Sequence, residues 1–169
     1  GDIEGKGLPV LGVTNIEGIT VTGVKASADK SKYLRLKPFR FAYNPYRINV
    51  GSIGLSSQNQ DGIVSPAYVV FKTKEGLDPR FLLYFFKSPD GNSQINFYGN
   101  RGSVRSALRF DDLAKIKIPL PSLPEQRKSV EQIKKLTLKV EMLYELKSQI
   151  VAEIESVNNN LVSKCFNSL

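Results

Sequence analysis

Histidine and tryptophan are absent from these 169 residues, and cysteine and methionine occur once each. Without His the commonest general acid/base and the commonest zinc ligand are missing, so Ser-His and Cys-His catalysis are closed to this chain alone. Cys165 has no second thiol for an internal disulfide and no companion for a metal, and it reads as a thiol within a helix. No metal and no cofactor is expected. Long apolar runs are missing as well: nothing approaches the roughly 20 residues that span a bilayer. Gly1 to Leu8 is too polar for a signal peptide, so no membrane partner is expected and the protein is expected to work inside a cell. A disordered chain is excluded too, since 41% of the residues are hydrophobic and 24% charged, close to globular averages.

What is present in excess is positive charge, 24 Lys and Arg against 16 Asp and Glu, for a net +8. It is unevenly spread. Through Lys128 there are 19 basic and 11 acidic residues; beyond it there are 5 of each. The whole excess therefore belongs to the N-terminal part, which suits an anionic partner, with nucleic acid the leading candidate because Lys and Arg release condensed counterions when they neutralise phosphates.

The texture of the chain changes at the same place. Up to Thr73, Gly and Pro break the sequence into short β-branched runs, Leu8 to Val13, Gly18 to Val24, Phe39 to Tyr43, Ile48 to Leu55 and Ala67 to Lys72, which read as strands of an irregular, mostly antiparallel sheet. Asp61-Gly62 and the pair Gly51 and Gly54 suggest turns and close backbone approaches. Asp78-Pro79 is a helix start, with Asp as cap and Pro first in the helix, and the apolar run Phe81 to Phe86 behind it must be core. Ser88-Pro89-Asp90 ends that helix and opens a second, carrying Ile95 and Phe97 toward the same interior. Asp111 reads as the cap of a further short helix, and Ile116 to Pro121 as a short alternating strand. From Ser122 to about Phe166 there is no Gly and only Pro124, so one helix of about 43 residues and roughly 65 Å is predicted, with Ser122 as its cap. Its apolar residues, Ile133, Leu136, Val140, Leu143, Ile150, Ile154, Val157 and Leu161, step by 3 and 4 with Lys147 in the gap, a heptad seam that wants a second helix. The fold class is thus α+β: a β-rich globular domain with short helices, residues 1–121, followed by one long coiled-coil-forming helix, residues 122–169.

Catalytic motifs do not survive inspection. Asn44-Pro45-Tyr46 is similar to the Asn-Pro-Pro-Tyr signature of amino-methyltransferases, but the second Pro and any glycine-rich turn for a methyl donor are missing, and a turn needs no catalytic explanation. Gly51-Ser52-Ile53-Gly54 lacks the Lys and the following helix of a phosphate loop. Basic residues among polar and aromatic ones are better material. Arg35, Lys37, Arg40 and Arg47 lie among Tyr33, Phe39, Tyr43 and Tyr46; Arg101, Arg105 and Arg109 recur every four residues; and Ser56 to Gln60 adds neutral polar side chains that can bond base edges.

The runs Phe41 to Gly54 and Gly62 to Tyr68, with Ile118-Pro119-Leu120-Pro121-Ser122-Leu123-Pro124-Glu125-Gln126 ahead of the long helix, resemble the DNA specificity subunit of type I restriction-modification systems. The resemblance implies a target recognition domain followed by a spacer helix, without catalysis of its own. Its implied partners are double-stranded DNA, the DNA methyltransferase (M) subunits and, in some complexes, the restriction (R) subunit, in the cytoplasm beside the nucleoid. Such a subunit carries two recognition domains and two antiparallel helices. This chain resembles half of one, so self-association through the long helix is expected, and the missing lead-in segment suggests an N-terminal truncation. The surface expected to touch DNA comprises Arg40, Asn44, Tyr46, Arg47, Asn49, Ser52, Arg101, Ser103 and Arg105. The alternative is the C-terminal recognition portion of a fused restriction-methyltransferase enzyme.

Overall fold

A computed structural model describes residues 7–23, 30–99 and 107–166. The chain divides into two compact units, 1–127 and 128–169.

Among the described residues the first unit contains seven strands of three or four residues. β1 (Leu11–Thr14) and β2 (Gly18–Val21) form an antiparallel hairpin with Leu11 opposite Val21. β3 (Leu34–Leu36) pairs antiparallel with β6 (Gly62–Val64), and β4 (Phe41–Tyr43) lies between β5 (Ile53–Leu55) and β7 (Val69–Phe71), antiparallel to both. The sheet is as irregular and antiparallel as the Gly and Pro punctuation implies. Because side chains alternate across a strand, β4 feeds two cores. Phe41 and Tyr43 enter one with Ile53, Leu82, Phe86 and Ile95, while Ala42 enters the other with Leu11, Ile19, Leu36 and Val64.

Two glycines make this packing possible. A Cβ on Gly62 would stand 2.6 Å from the Pro9 carbonyl oxygen, and one on Gly54 would stand 2.9 Å from the Ile19 side chain. Gly62, read above as part of a turn with Asp61, is thus a strand residue. Gly is needed there for close approach rather than for chain reversal. Ile48 to Leu55 is likewise not one strand: Ile48–Val50 is a single 3-10 turn, closed by Gly51 at φ 87°, before β5 begins.

α1 (Pro79–Lys87) starts as expected, with the Asp78 carboxylate accepting from the backbone N–H of Arg80 at 2.8 Å. Ser88 ends α1 and opens α2 (Pro89–Gly99): its hydroxyl donates to Phe85 O at 2.7 Å and accepts from Gly91 N–H at 3.2 Å. Ile95 is buried, but Phe97 is 63% exposed and stacks edge-on against Tyr98, so only the former joins the interior. α3 (Phe110–Leu113) begins two residues earlier than predicted: Arg109 holds the cap position, and Asp111 lies in the first turn, where its charge suits the positive end of the helix. Ile116 to Pro121 pairs with no strand among the described residues. The Gln94 side-chain amide takes a strand's place, accepting from Lys117 N–H and donating to Lys117 O, both at 2.9 Å, while the two prolines have no N–H to offer a ladder.

α4 (Leu123–Phe166) opens on Ser122, whose backbone N–H and hydroxyl both donate to the Glu125 carboxylate, the reciprocal half of a capping box. These hydrogen bonds hold the Glu125 carboxyl below the usual carboxylate range. Gln126 follows, fully buried. Its Oε1 accepts from Asp78 N–H at 2.8 Å, and its Nε2 donates to Gly76 O at 2.9 Å and Pro121 O at 2.8 Å. One amide thus stitches the first turn of α4 to the start of α1.

The second unit is the remainder of α4. Every residue from 134 to 164 is exposed, including the seam, whose members Leu136, Val140, Leu143, Ile150, Ile154, Val157 and Leu161 are 47–64% exposed. Ile133 is half-buried. No helix among the described residues is long and apolar enough to cross a membrane.

Replacing Gln126 with Ala removes the partner of one buried backbone N–H and of two less buried carbonyls, at about 1 kcal/mol each. The thermal midpoint should fall by roughly 10 °C, measurable by circular dichroism.

Candidate nucleic-acid interface

The turn after β4 is locked by its own sequence. Asn44 Oδ1 accepts from Tyr46 N–H and Asn44 O accepts from Arg47 N–H, both at 3.0 Å, the Asx-type closure that Asn before Pro favours. Arg47 O then receives the N–H groups of Val50 and Ser52, so Tyr46, Arg47 and Asn49 are carried outward on a fixed loop. The tripeptide that resembles a methyltransferase signature is a turn.

A second segment is tied to this one. The buried Tyr43 hydroxyl donates to Leu108 O at 3.1 Å, and Leu108 N–H donates to Pro45 O at 2.9 Å. Burial pushes the Tyr43 phenol far up, with the negative charges of Asp112 and Asp111 adding to the effect, so the hydroxyl keeps its proton and its role as donor. Arg109 is thereby held beside the Asn44 turn.

Three clefts open on this side of the unit. One of about 290 Å3 is lined by Thr14, Asn15, Asn44, Arg47, Ser52 and Tyr68. Another of about 720 Å3 is lined by Tyr46, Pro66, Tyr68, Tyr98, Arg109 and Asp112, among others. A third of about 570 Å3 contains Asn49 with Lys87 and Asn92. Arg47 and Arg109 are exposed, and neither forms an ion pair within the described residues.

The expected site residues are therefore only partly gathered. Asn44 and Arg47 share a cleft; Tyr46 faces the next, and Asn49 the third. Ser52 lines the cleft of Asn44 and Arg47 but is only 7% exposed, and its hydroxyl is directed at the Val13 carbonyl, 3.4 Å away. Arg40 precedes β4, so the strand separates it from Asn44 by roughly 13 Å. Arg101, Ser103 and Arg105 lie outside the described residues, although Gly99 and Ala107 on either side of that segment line the 720 Å3 cleft.

Other polar side chains have structural duties. Arg35 grips Asp61 with two hydrogen bonds, at 2.7 and 2.8 Å, and that bonding lowers the Asp61 carboxyl. Ser56 is buried and bonds Lys37 and Arg40 backbone groups, and the Gln60 amide bonds Ser57 N–H and Ile19 O, leaving Ser57, Gln58 and Asn59 exposed in that loop. Tyr68, Asn15 and Tyr98 were not among the expected site residues. The Ser65-Pro66 corner ahead of Tyr68 is the signal that could have found it. No group of three or more potential metal ligands occurs among the described residues. The chemistry on offer is guanidinium groups for phosphate and amide or hydroxyl groups for base edges.

The family model described as type I restriction modification DNA specificity domain matches residues 8–155. The chain belongs to that family. Among solved structures, this specificity-domain chain is similar to an HsdS subunit from Thermoanaerobacter tengcongensis, with 24% identity and a TM-score of 0.63 over 75% of this chain and 33% of the other. It is also similar to a chain from a structure addressing complex assembly and conformational transition of the type I R-M system, with 19% identity and a TM-score of 0.59, covering 92% and 37%. The specificity-domain chain spans about a third of each, and at these identities the likeness shows a shared fold. No curated protein matches.

If Arg47 and Arg109 contact phosphates, Arg47→Glu and Arg109→Glu should each weaken duplex binding about tenfold or more. The slope of log affinity against log salt should shrink by about 1 per residue. Fluorescence anisotropy across a salt series measures both.

Proposed function

We propose that this chain is a non-catalytic, sequence-specific DNA-recognition module of a type I restriction-modification system, with residues 1–121 as the recognition domain and 122–169 as the spacer and pairing helix. It directs methyltransferase subunits, and restriction subunits where present, to a split target site. The family match over residues 8–155 carries this reading. Support comes from the charge division, with the whole +8 carried by the chain through Lys128, and from the arginines on the fixed turns around β4 that form no ion pair among the described residues. In this reading Asn44, Tyr46, Arg47 and Asn49, with Arg101, Ser103 and Arg105, touch the duplex. Arg40 contacts it farther along, and Ser52 supports the turn from beneath. Selection from random duplexes, with the cognate methyltransferase present, should converge on one sequence; enrichment without a consensus would reject the reading.

The exposed seam supports self-association. Ile133, Leu136, Val140, Leu143, Ile150, Ile154, Val157 and Leu161 form the face that pairs with the helix of a second copy and restores a two-domain unit. Each aliphatic side chain buried there contributes on the order of 1.5–3 kcal/mol. The parent should sediment as a dimer, and the double variant Leu143→Asp/Ile150→Asp as a monomer with an unchanged β-sheet signal. A parent that is monomeric at all concentrations contradicts the pairing.

A further inference from the structure

The cleft that holds Arg47 and the cleft that holds Arg109 share one wall, and that wall is Tyr68. Its ring packs against the core formed by Leu11, Ile19, Leu36, Ala42 and Val64, and its backbone N–H donates to Ser65 O at 3.0 Å. Ring and backbone are thus both held. The hydroxyl, by contrast, makes no hydrogen bond within the described residues, although the phenol is half-buried. The core tyrosine of the same unit, Tyr43, spends its hydroxyl on Leu108 O. Tyr68 lines one cleft with Arg47 and the other with Arg109 and Asp112, and neither guanidinium forms an ion pair among the described residues.

We infer that Tyr68 is a specificity-determining residue of the DNA face, its hydroxyl bonding a base edge while Arg47 and Arg109 hold phosphates on either side. The inference rests on the DNA-recognition reading above and deepens it. Charge complementarity selects the occupant, because the two clefts that meet at Tyr68 carry Arg47 and Arg109 against one carboxylate, Asp112, which Lys115 already pairs, a balance that suits phosphates beside an uncharged base edge. Phosphate contacts position a protein on the duplex but carry no sequence information. A neutral donor and acceptor on a rigid aromatic stem can carry it, and the stem loses little entropy on binding.

The test is Tyr68→Phe, which keeps the ring in its core and removes only the hydroxyl. Affinities of the full-length parent and the variant are measured for the duplex selected from a random pool, and for a panel of duplexes each changed at one base pair. The expected result is a roughly three- to tenfold loss on the selected duplex. That difference should vanish for duplexes changed at one particular position, with the thermal midpoint unchanged. An equal loss at every position assigns the hydroxyl to the backbone or to stability and overturns the inference, as does no loss at all. Arg47→Glu in the same assay separates the two readings: normal salt dependence there, or a parent that selects no sequence, removes the DNA face itself and Tyr68 with it.

Discussion

The recognition unit depends on the double-sided burial of β4. Phe41, Ala42 and Tyr43 have no measurable exposure, and a strand of three residues can be so completely enclosed only if both neighbours and both faces are supplied by distant parts of the chain. β5 and β7 close its edges, α1 and α2 cover the Phe41 and Tyr43 face, and the β1–β2 hairpin with β3 and β6 covers Ala42. Phe71 stacks on Phe41 with ring centres 4.7 Å apart, locking β7 into register. What leaves β4 at Tyr43 therefore leaves from a rigid point. The Asn44 turn and, through the Tyr43 hydroxyl, the segment around Arg109 inherit that rigidity.

Electrostatics then separates residues that composition treats alike. Arg35 and Arg80 are satisfied by Asp61 and Asp78, and Lys115 by Asp112. Their charges remain in the net count but are not offered with the same freedom as those of Arg47 and Arg109. The Asp78 carboxylate is pulled in two directions, raised by burial and lowered by the Arg80 guanidinium and backbone N–H, and the lowering prevails. It stays ionised as a helix cap, and Gln126 bonds the backbone N–H of that same residue. The start of α1 and the start of α4 are thus joined at one buried amide.

Much of this was legible in the chain. Asp78-Pro79, Ser88-Pro89 and Ser122 with Glu125 marked three helix starts, because capping is a local interaction between residues a few positions apart. The long helix and its seam were equally legible, since a period of 3.5 needs no knowledge of the partner. Elements decided at a distance were not. β3 and β6 pair residues 26 to 30 apart, and the Ile116 to Pro121 segment is bonded by an amide from α2 rather than by a strand. Phe97 and Ile95 lie two positions apart on α2, so hydrophobicity alone could not tell which one turned inward.

By itself, the sequence determined the division into a cationic β-rich part and a neutral helical rod, the family, and the starts of three helices, because charge balance, motif and capping are carried by neighbouring residues. Only the tertiary structure decided which polar side chains remain available. Ser52 and Ser56 are of one type with Ser57, and Arg35 with Arg47, yet partners 16 to 39 residues away take up the first two serines and Arg35 while Ser57 and Arg47 stay open to solvent. A hydrogen bond or ion pair is a property of two positions brought together, and no single position in a chain encodes it.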